Sequence, residues 1–199
     1  MTKSSIIQTV SGTLIDPLHP DPALVNIYDI AHSLSNQGRF TGHTKSPCFL
    51  GRDLYTTAEH SVHVAELVGP SCPPLQLAAL LHDGGEAYLS DIASPVKNAL
   101  DLTPYREIED RLLVAVYKAY DIEGFYKHAN IKTADSYILG IEARDLMGGL
   151  PSRGYWREAV HRVATHPLSV RRPWSPAKAK RKFLQLFNQI QKRRFSDNA

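Results

Sequence analysis

Apolar residues in this chain recur with the period of an α-helix, and that spacing constrains the fold more than any other feature. Ile27, Ile30, Ala31 and Leu34 follow the i, i+3, i+4, i+7 pattern of an amphipathic helix. Thr56-Thr57-Ala58-Glu59 reads as a capping box opening a second helix, whose apolar line is Ala58, Val62, Ala65 and Val68 and which Gly69-Pro70 ends. Pro73-Pro74 open a third, from 75 to about 83, apolar nearly all round and therefore expected near the centre. Thr103-Pro104 reads as an N-cap with proline at the first helical position. The helix that follows presents Tyr105, Ile108, Leu112, Ala115 and Ala119. Another spans about 130 to 147, with Ile131, Ala134, Ile138 and Ile141 on one face, and Gly148-Gly149 and Pro151 stop it. Ser175-Pro176 start a last helix, about 175–194, carrying Phe183, Leu186, Phe187 and Ile190. A strand is expected early, around residues 6–15, where Thr9, Val10, Thr13 and Leu14 favour extended structure. The expectation is an all-α domain, a bundle of about six or seven helices.

Length and composition agree. A chain of 199 residues suits one domain, 1–199, with a core over about 22–147. Its net charge of +3 is too mild to argue for nucleic acid. Much of the excess, Lys178, Lys180, Arg181, Lys182, Lys192, Arg193 and Arg194, reads as a solvated helix face. No run approaches the roughly 20 apolar residues of a membrane span. The first residues show no long apolar segment of the secretory kind. Cys48 and Cys72 form no CxxC, which fits a reducing compartment. A cytoplasmic protein that binds neither membrane nor nucleic acid is therefore expected.

Four residues draw attention to chemistry. His82-Asp83 closes the apolar third helix, where a charged carboxylate is costly unless paired or bound to a metal. Alone, the pair reads better as a hydrogen-bonded helix end than as a metal site. Glu86 follows Asp83 by three residues and shares its face if the helix continues. His60 lies near the start of the second helix, and Asp135 lies inside a later one, where its propensity is poor. Two imidazoles and two carboxylates from three helices suit a divalent ion such as zinc, cobalt or manganese, with magnesium a further option.

The order His60, His82-Asp83, Asp135 resembles the H…HD…D signature of the HD-domain phosphohydrolases. The segments Ile30-Ala31-His32-Ser33-Leu34-Ser35, Arg39-Phe40-Thr41-Gly42-His43-Thr44, Ala58-Glu59-His60-Ser61-Val62, His82-Asp83-Gly84-Gly85-Glu86-Ala87-Tyr88 and Asp91-Ile92-Ala93-Ser94-Pro95-Val96-Lys97 extend that likeness. They resemble a branch of bacterial and phage enzymes that holds the YfbR-type 5′-deoxynucleotidases and the phage dATP triphosphohydrolases. The resemblance implies that His60, His82, Asp83 and Asp135 are metal ligands and that Glu86 orients or deprotonates the attacking water. It makes Arg39 the arginine that grips phosphate and Lys97 a lysine beside it. Asp91 would meet the sugar 3′-hydroxyl, and His43 would stand on the phosphate side or behind the ligands. It also implies a homo-oligomer, either a dimer or a hexamer. These roles accord with general chemistry. Arg39 can bind a phosphoryl group bidentately, Lys97 can add a point charge, and Glu86 can accept a proton.

Deoxynucleotide hydrolysis, with dATP favoured, is the leading expectation. A 5′-deoxynucleotidase acting on dNMP uses the same ligands, and a catalytically inactive HD module that binds nucleotide is a third reading. An alarmone hydrolase usually carries Glu-Asp after the HD pair, where this chain has Glu86-Ala87-Tyr88. Two departures from the family pattern stand out. Gly84 and Gly85 replace small helix formers, each costing a helix roughly 1 kcal/mol against alanine. The stretch 45–55 is longer than in most relatives, and Phe49, Leu50 and Tyr55 are candidates to line a nucleotide pocket.

Overall fold

The computed structural model of the protein describes residues 5–45, 54–147 and 156–196. Cys48, Phe49 and Leu50, and the helix stop at Gly148-Gly149 and Pro151, lie outside the described residues. The expected strand is a short hairpin, β1 (Ile7–Gln8) antiparallel to β2 (Leu14–Ile15), with Ile7 opposite Ile15. Buried Asp29 holds it to the helices by accepting from Ser11 N at 2.9 Å and Ser11 Oγ at 2.7 Å.

The rest is helical, as expected. The longer helices are α1 (Ile27–Asn36), α2 (Thr57–Val68), α3 (Pro73–Leu80), α6 (Thr103–Ala119), α7 (Ala129–Leu146) and α9 (Pro176–Ser196). Between them lie the short α4 (Glu86–Leu89), α5 (Ser94–Ala99) and α8 (Arg157–Arg162). The short helices span at most two turns, too few for an apolar repeat to show. Asn26 caps α1 by accepting from Tyr28 N, and Gly69 ends α2 in the left-handed region at φ 83°. Helix α6 begins one residue earlier than its proline suggests, and Asp101 accepts from both Thr103 N and Thr103 Oγ1.

The second helix departs from expectation in a way that matters. Its spacing reads as amphipathic, yet every residue from Thr57 to Ala65 is buried. Helices α1, α3, α7 and α9 all pack around it, and α9 also lies against α1 and α3. Ile30, Leu34, Leu77, Leu80, Ile138, Ile141, Phe183 and Ile190, all without exposure, join in one apolar cluster with Ala58, Val62 and Ala65. Burying each large side chain of this kind contributes about 1.5–3 kcal/mol. Among the described residues, no helix is long and apolar enough to cross a membrane.

The segment between α8 and α9 lacks regular structure and is fastened instead by α7. Asp145, fully buried at its side chain, accepts from Ser169 Oγ at 2.8 Å and Val170 N at 2.9 Å. Its neighbour Arg144 donates to the carbonyls of Val163, His166 and Leu168 and pairs with Asp145 at 2.8 Å. Burial opposes the Asp145 charge, but the Arg144 hydrogen bond and those from Val170 and Ser169 hold its pKa below the ordinary value. A depressed carboxylate pKa gives stability that is present above the unfolded value and lost as pH falls. Asp145→Ala leaves several donors and a buried guanidinium unmatched. We expect it to lower the unfolding free energy by about 3 kcal/mol, measured by urea denaturation near neutral pH. The loss should shrink when the comparison is repeated in acid.

Candidate metal centre

Four separate elements bring polar groups to the middle of this apolar core. Helix α2 supplies His60, the turn after α3 supplies His82 and Asp83, α7 supplies Asp135, and a 3-10 turn (Arg39–Gly42) supplies Arg39. The turn is stitched to the start of α2, because Arg39 N donates to Tyr55 O at 2.9 Å and Gly38 bridges to Thr56.

Hydrogen bonding settles which nitrogen of each imidazole faces the site. His82 Nδ1 is 2.7 Å from the carbonyl of Ala79, an acceptor only, so Nδ1 carries the proton. His60 Nδ1 is 2.6 Å from Glu142 Oε1 and likewise donates to a carboxylate. The two Nε2 atoms then face each other at 3.3 Å. Two nitrogen lone pairs at that distance repel unless a proton or a cation lies between them. Asp83 Oδ1 is 3.2 Å from His82 Nε2, and Asp83 Oδ2 is 3.7 Å from His60 Nε2. Oδ2 is buried and has no hydrogen-bond partner, a costly arrangement that a bound cation relieves. Ligand atoms of His60, His82 and Asp83 lie within 4.8 Å of one another. Asp135 joins through His60, its Oδ1 3.1 Å from Nε2. Its side chain is 39% exposed against 15% for Asp83 and 0% for His60, so the cluster opens to solvent on the Asp135 side. Two imidazole nitrogens and the Asp83 carboxylate form a group that could hold a metal ion, and Asp135 adjoins it on the His60 side.

The electrostatics point the same way. Burial and the charge of Arg39 work against protonation of His60, yet Glu142 and Asp135 outweigh them and push its pKa up to about 9. Burial also opposes the charge on Asp135, but the hydrogen bond and charge of His60, with His82 and Arg39, hold it well below the usual carboxylate range. Glu142 falls to about 2, with burial overcome by Arg39 and His60. Positive charge is favoured at the point where the two Nε2 atoms meet.

Around this cluster the remaining residues fall into two groups. Arg39 lies against it, Nη1 3.6 Å from Asp83 Oδ2 and Nη2 3.4 Å from Glu142 Oε2, while its buried Nε has no acceptor. Burial disfavours the guanidinium charge, but Glu142, Asp83, Asp135 and Glu86 together raise its pKa. Glu86 is pushed well above the ordinary carboxyl range, first by burial and then by Asp83 and Asp91. It therefore stands in the field of both the cluster and the second group. In that group Lys97 Nζ is 2.6 Å from Asp91 Oδ1 and 2.7 Å from Glu109 Oε1 on α6. Burial disfavours the Lys97 charge, but these two carboxylates raise its pKa above the usual lysine value. His43 is exposed, and its backbone N–H donates to Phe40 O; among the described residues it makes no contact with the cluster.

Several expectations need correction. The third helix stops at Leu80 instead of running to about 83, and residues 81–85 form tight turns before α4 begins at Glu86. The glycines there answer a packing demand. A Cβ on Gly84 would lie 2.9 Å from Leu81 O and 3.0 Å from Val116 Cγ1, and one on Gly85 would lie 3.2 Å from Leu113 N. Tyr55 is fully buried in the core and lines no open pocket. The capping box at Thr56 is half formed. Thr56 Oγ1 accepts from Glu59 N at 3.2 Å, but the Glu59 carboxylate turns away to accept from Trp174 N at 2.7 Å. The residue that sequence reasoning missed is Glu142. Its signal was available, because it is a carboxylate between Ile141 and Ala143, two turns from Asp135 on the same face.

No protein-family model matches the chain. It is 33% identical over 190 residues to the uncharacterized protein YfdR of Escherichia coli, a match that covers 94% of this chain and 96% of that protein. It is 37% identical over 147 residues to an uncharacterized protein of Rhodobacter capsulatus, covering 70% of this chain and 71% of that one.

Because a methyl group at position 84 would press on backbone and on α6, Gly84→Ala should lower the unfolding free energy by about 1–3 kcal/mol. Urea denaturation measures this, and a neutral result would mean that the turn has room the geometry does not offer.

Proposed function

The chain belongs to the family that includes YfdR, and we propose that it is an HD-type, metal-dependent phosphohydrolase acting on a deoxynucleotide, with dATP favoured. The observation that carries this reading is the convergence of two imidazole Nε2 atoms, each with its Nδ1 proton already committed, on Asp83 and Asp135. An ion held by His60, His82, Asp83 and Asp135 would polarise phosphoryl oxygens and make its bound water more acidic.

The chain's own residues supply the rest. Arg39 presents its guanidinium beside the ligand Asp83, where it grips a phosphoryl group and balances charge that develops on the phosphoryl oxygens. Glu86 accepts the proton from the attacking water. Asp91, held by Lys97, takes the deoxyribose 3′-hydroxyl, and Lys97 adds a cation on the sugar-phosphate side. The family resemblance supplies the setting, a homo-oligomer in the cytoplasm.

One observation favours a second reading, hydrolysis of a deoxynucleoside monophosphate. Lys97 is already balanced by Asp91 and Glu109, so of the two cations assigned to phosphate only Arg39 lies against the ligand cluster. A triphosphate demands more positive charge than a monophosphate. The two readings separate by product. Incubation with dNTPs and dNMPs in the presence of Mn²⁺, Co²⁺ or Zn²⁺ should release tripolyphosphate or phosphate from dATP in the first case, and inorganic phosphate from dAMP in the second. Asp83→Ala should lose bound metal and lower turnover by more than about 100-fold. Purified protein that holds no metal by elemental analysis and acts on no member of that panel would remove the proposal.

A further inference from the structure

We infer that Glu142 is a positioning residue that joins the metal ligand His60 to the phosphate-gripping Arg39, so that one carboxylate sets the affinity of the site for both metal and phosphate. The inference rests on the metal-hydrolase reading above and deepens it.

Glu142 has no exposure to solvent, and both of its oxygens are committed to the site. Oε1 is 2.6 Å from His60 Nδ1, and Oε2 is 3.4 Å from Arg39 Nη2. A carboxylate buried only to hold the fold together would pair with structural neighbours, as Asp145 does with Arg144 and the loop before α9. Glu142 instead reaches one group that faces the metal and one that faces the phosphate, with the buried Tyr55 side chain beside it as well. Its place on α7 explains how. Seven residues separate it from Asp135, which is two helical turns and about 10 Å along the axis. One helix therefore holds the His60 ring at both nitrogens, with Asp135 at Nε2 and Glu142 at Nδ1. The Nδ1 contact fixes the tautomer in which the Nε2 lone pair is free for a metal, and the negative charge behind the ring makes that nitrogen a stronger donor. The same carboxylate keeps Arg39 beside Asp83, where the guanidinium and the metal site address one phosphoryl group together.

Glutamine separates this role from simple space filling. It preserves the volume but offers one oxygen and one NH₂ group. If the oxygen accepts from His60, the NH₂ faces the donors of Arg39, and the reverse arrangement opposes His60. One of the two ties must fail, and the charge is lost in either case.

The experiment titrates metal-free wild type, Glu142→Gln and Arg39→Gln with Co²⁺, following the visible d–d bands. It then titrates each cobalt-loaded protein with inorganic phosphate by calorimetry. Circular dichroism establishes that each variant is folded. Glu142→Gln should weaken Co²⁺ binding by about 10- to 100-fold, alter the d–d bands, and weaken phosphate binding as Arg39→Gln does. Arg39→Gln should leave Co²⁺ affinity within about threefold of wild type while losing phosphate. In the double variant the phosphate effects should not add, because both changes break one tie. A folded Glu142→Gln protein with wild-type Co²⁺ affinity and unchanged bands would overturn the inference and leave the metal-hydrolase reading standing. A wild type that binds no Co²⁺ would overturn both. Should Glu142→Gln fail to fold, ¹⁵N-histidine NMR of zinc-loaded wild type decides the point. His60 is expected to keep its proton on Nδ1 and bind through Nε2, and coordination through Nδ1 would reverse the conclusion.

Discussion

A histidine buried without exposure in the middle of a helical core, His60, sets the terms for much of the structure around it. Helix α2 is buried from Thr57 to Ala65 yet carries Glu59, His60, Ser61 and His63 within little more than one turn. Each buried polar atom needs a partner, and the partners come from different elements. Asp135 and Glu142 arrive on α7, His82 and Asp83 on the turn after α3, and the backbone of Trp174 reaches Glu59 from the start of the C-terminal helix. The polar requirements of one helix thus select its neighbours as firmly as apolar packing does. Helices α2 and α7 thus carry part of the centre, and the turn after α3 and the 3-10 turn at Arg39 carry the rest.

Charge is balanced in layers. Asp83, Asp135 and Glu142 crowd around two imidazoles and a guanidinium, and that crowding makes the point between the Nε2 atoms a place for a cation. A second group sets Lys97 between Asp91 and Glu109, one cation shared by two carboxylates. Glu86 feels both layers, repelled by Asp83 and Asp91 and steadied by Arg39 and Lys97. The proposed hydrolysis depends on this layering, because it assigns Glu86 the proton from water between the proposed cation site and the proposed sugar contact.

Much of this architecture was legible in the sequence, for physical reasons that also explain what was not. The six long helices announced themselves because each runs several turns and repeats its apolar face. The four-residue α4 and the six-residue α5 and α8 are too short to repeat anything. Thr56 was readable as a cap because capping is local, whereas the carboxylate of Glu59 finds a partner 115 residues away, which no local pattern encodes. Helix α3 is apolar nearly all round, so its apolar pattern marks no end; Gly84-Gly85 reads in sequence as either a close backbone approach or a break, and the structure shows both, with the stop at Leu80 and α6 packed against the two glycines. His60, His82, Asp83 and Asp135 were found because acids and histidines on apolar helices demand explanation. Glu142 met the same criterion and was passed over once Asp135 had satisfied it. His43, singled out by resemblance, lies exposed at the end of its turn.

The tie between Glu59 and Trp174, together with the packing of α9 against α1, α2 and α3, has a consequence for biosynthesis. A ribosome releases His60, His82, Asp83 and Asp135 well before Phe183, Phe187 and Ile190, which join the core around α2. Until α9 docks, α2 lacks one of its walls. The residues proposed to hold a metal are therefore made before the scaffold that arranges them, and the proposed site takes its final form only once α9 has packed.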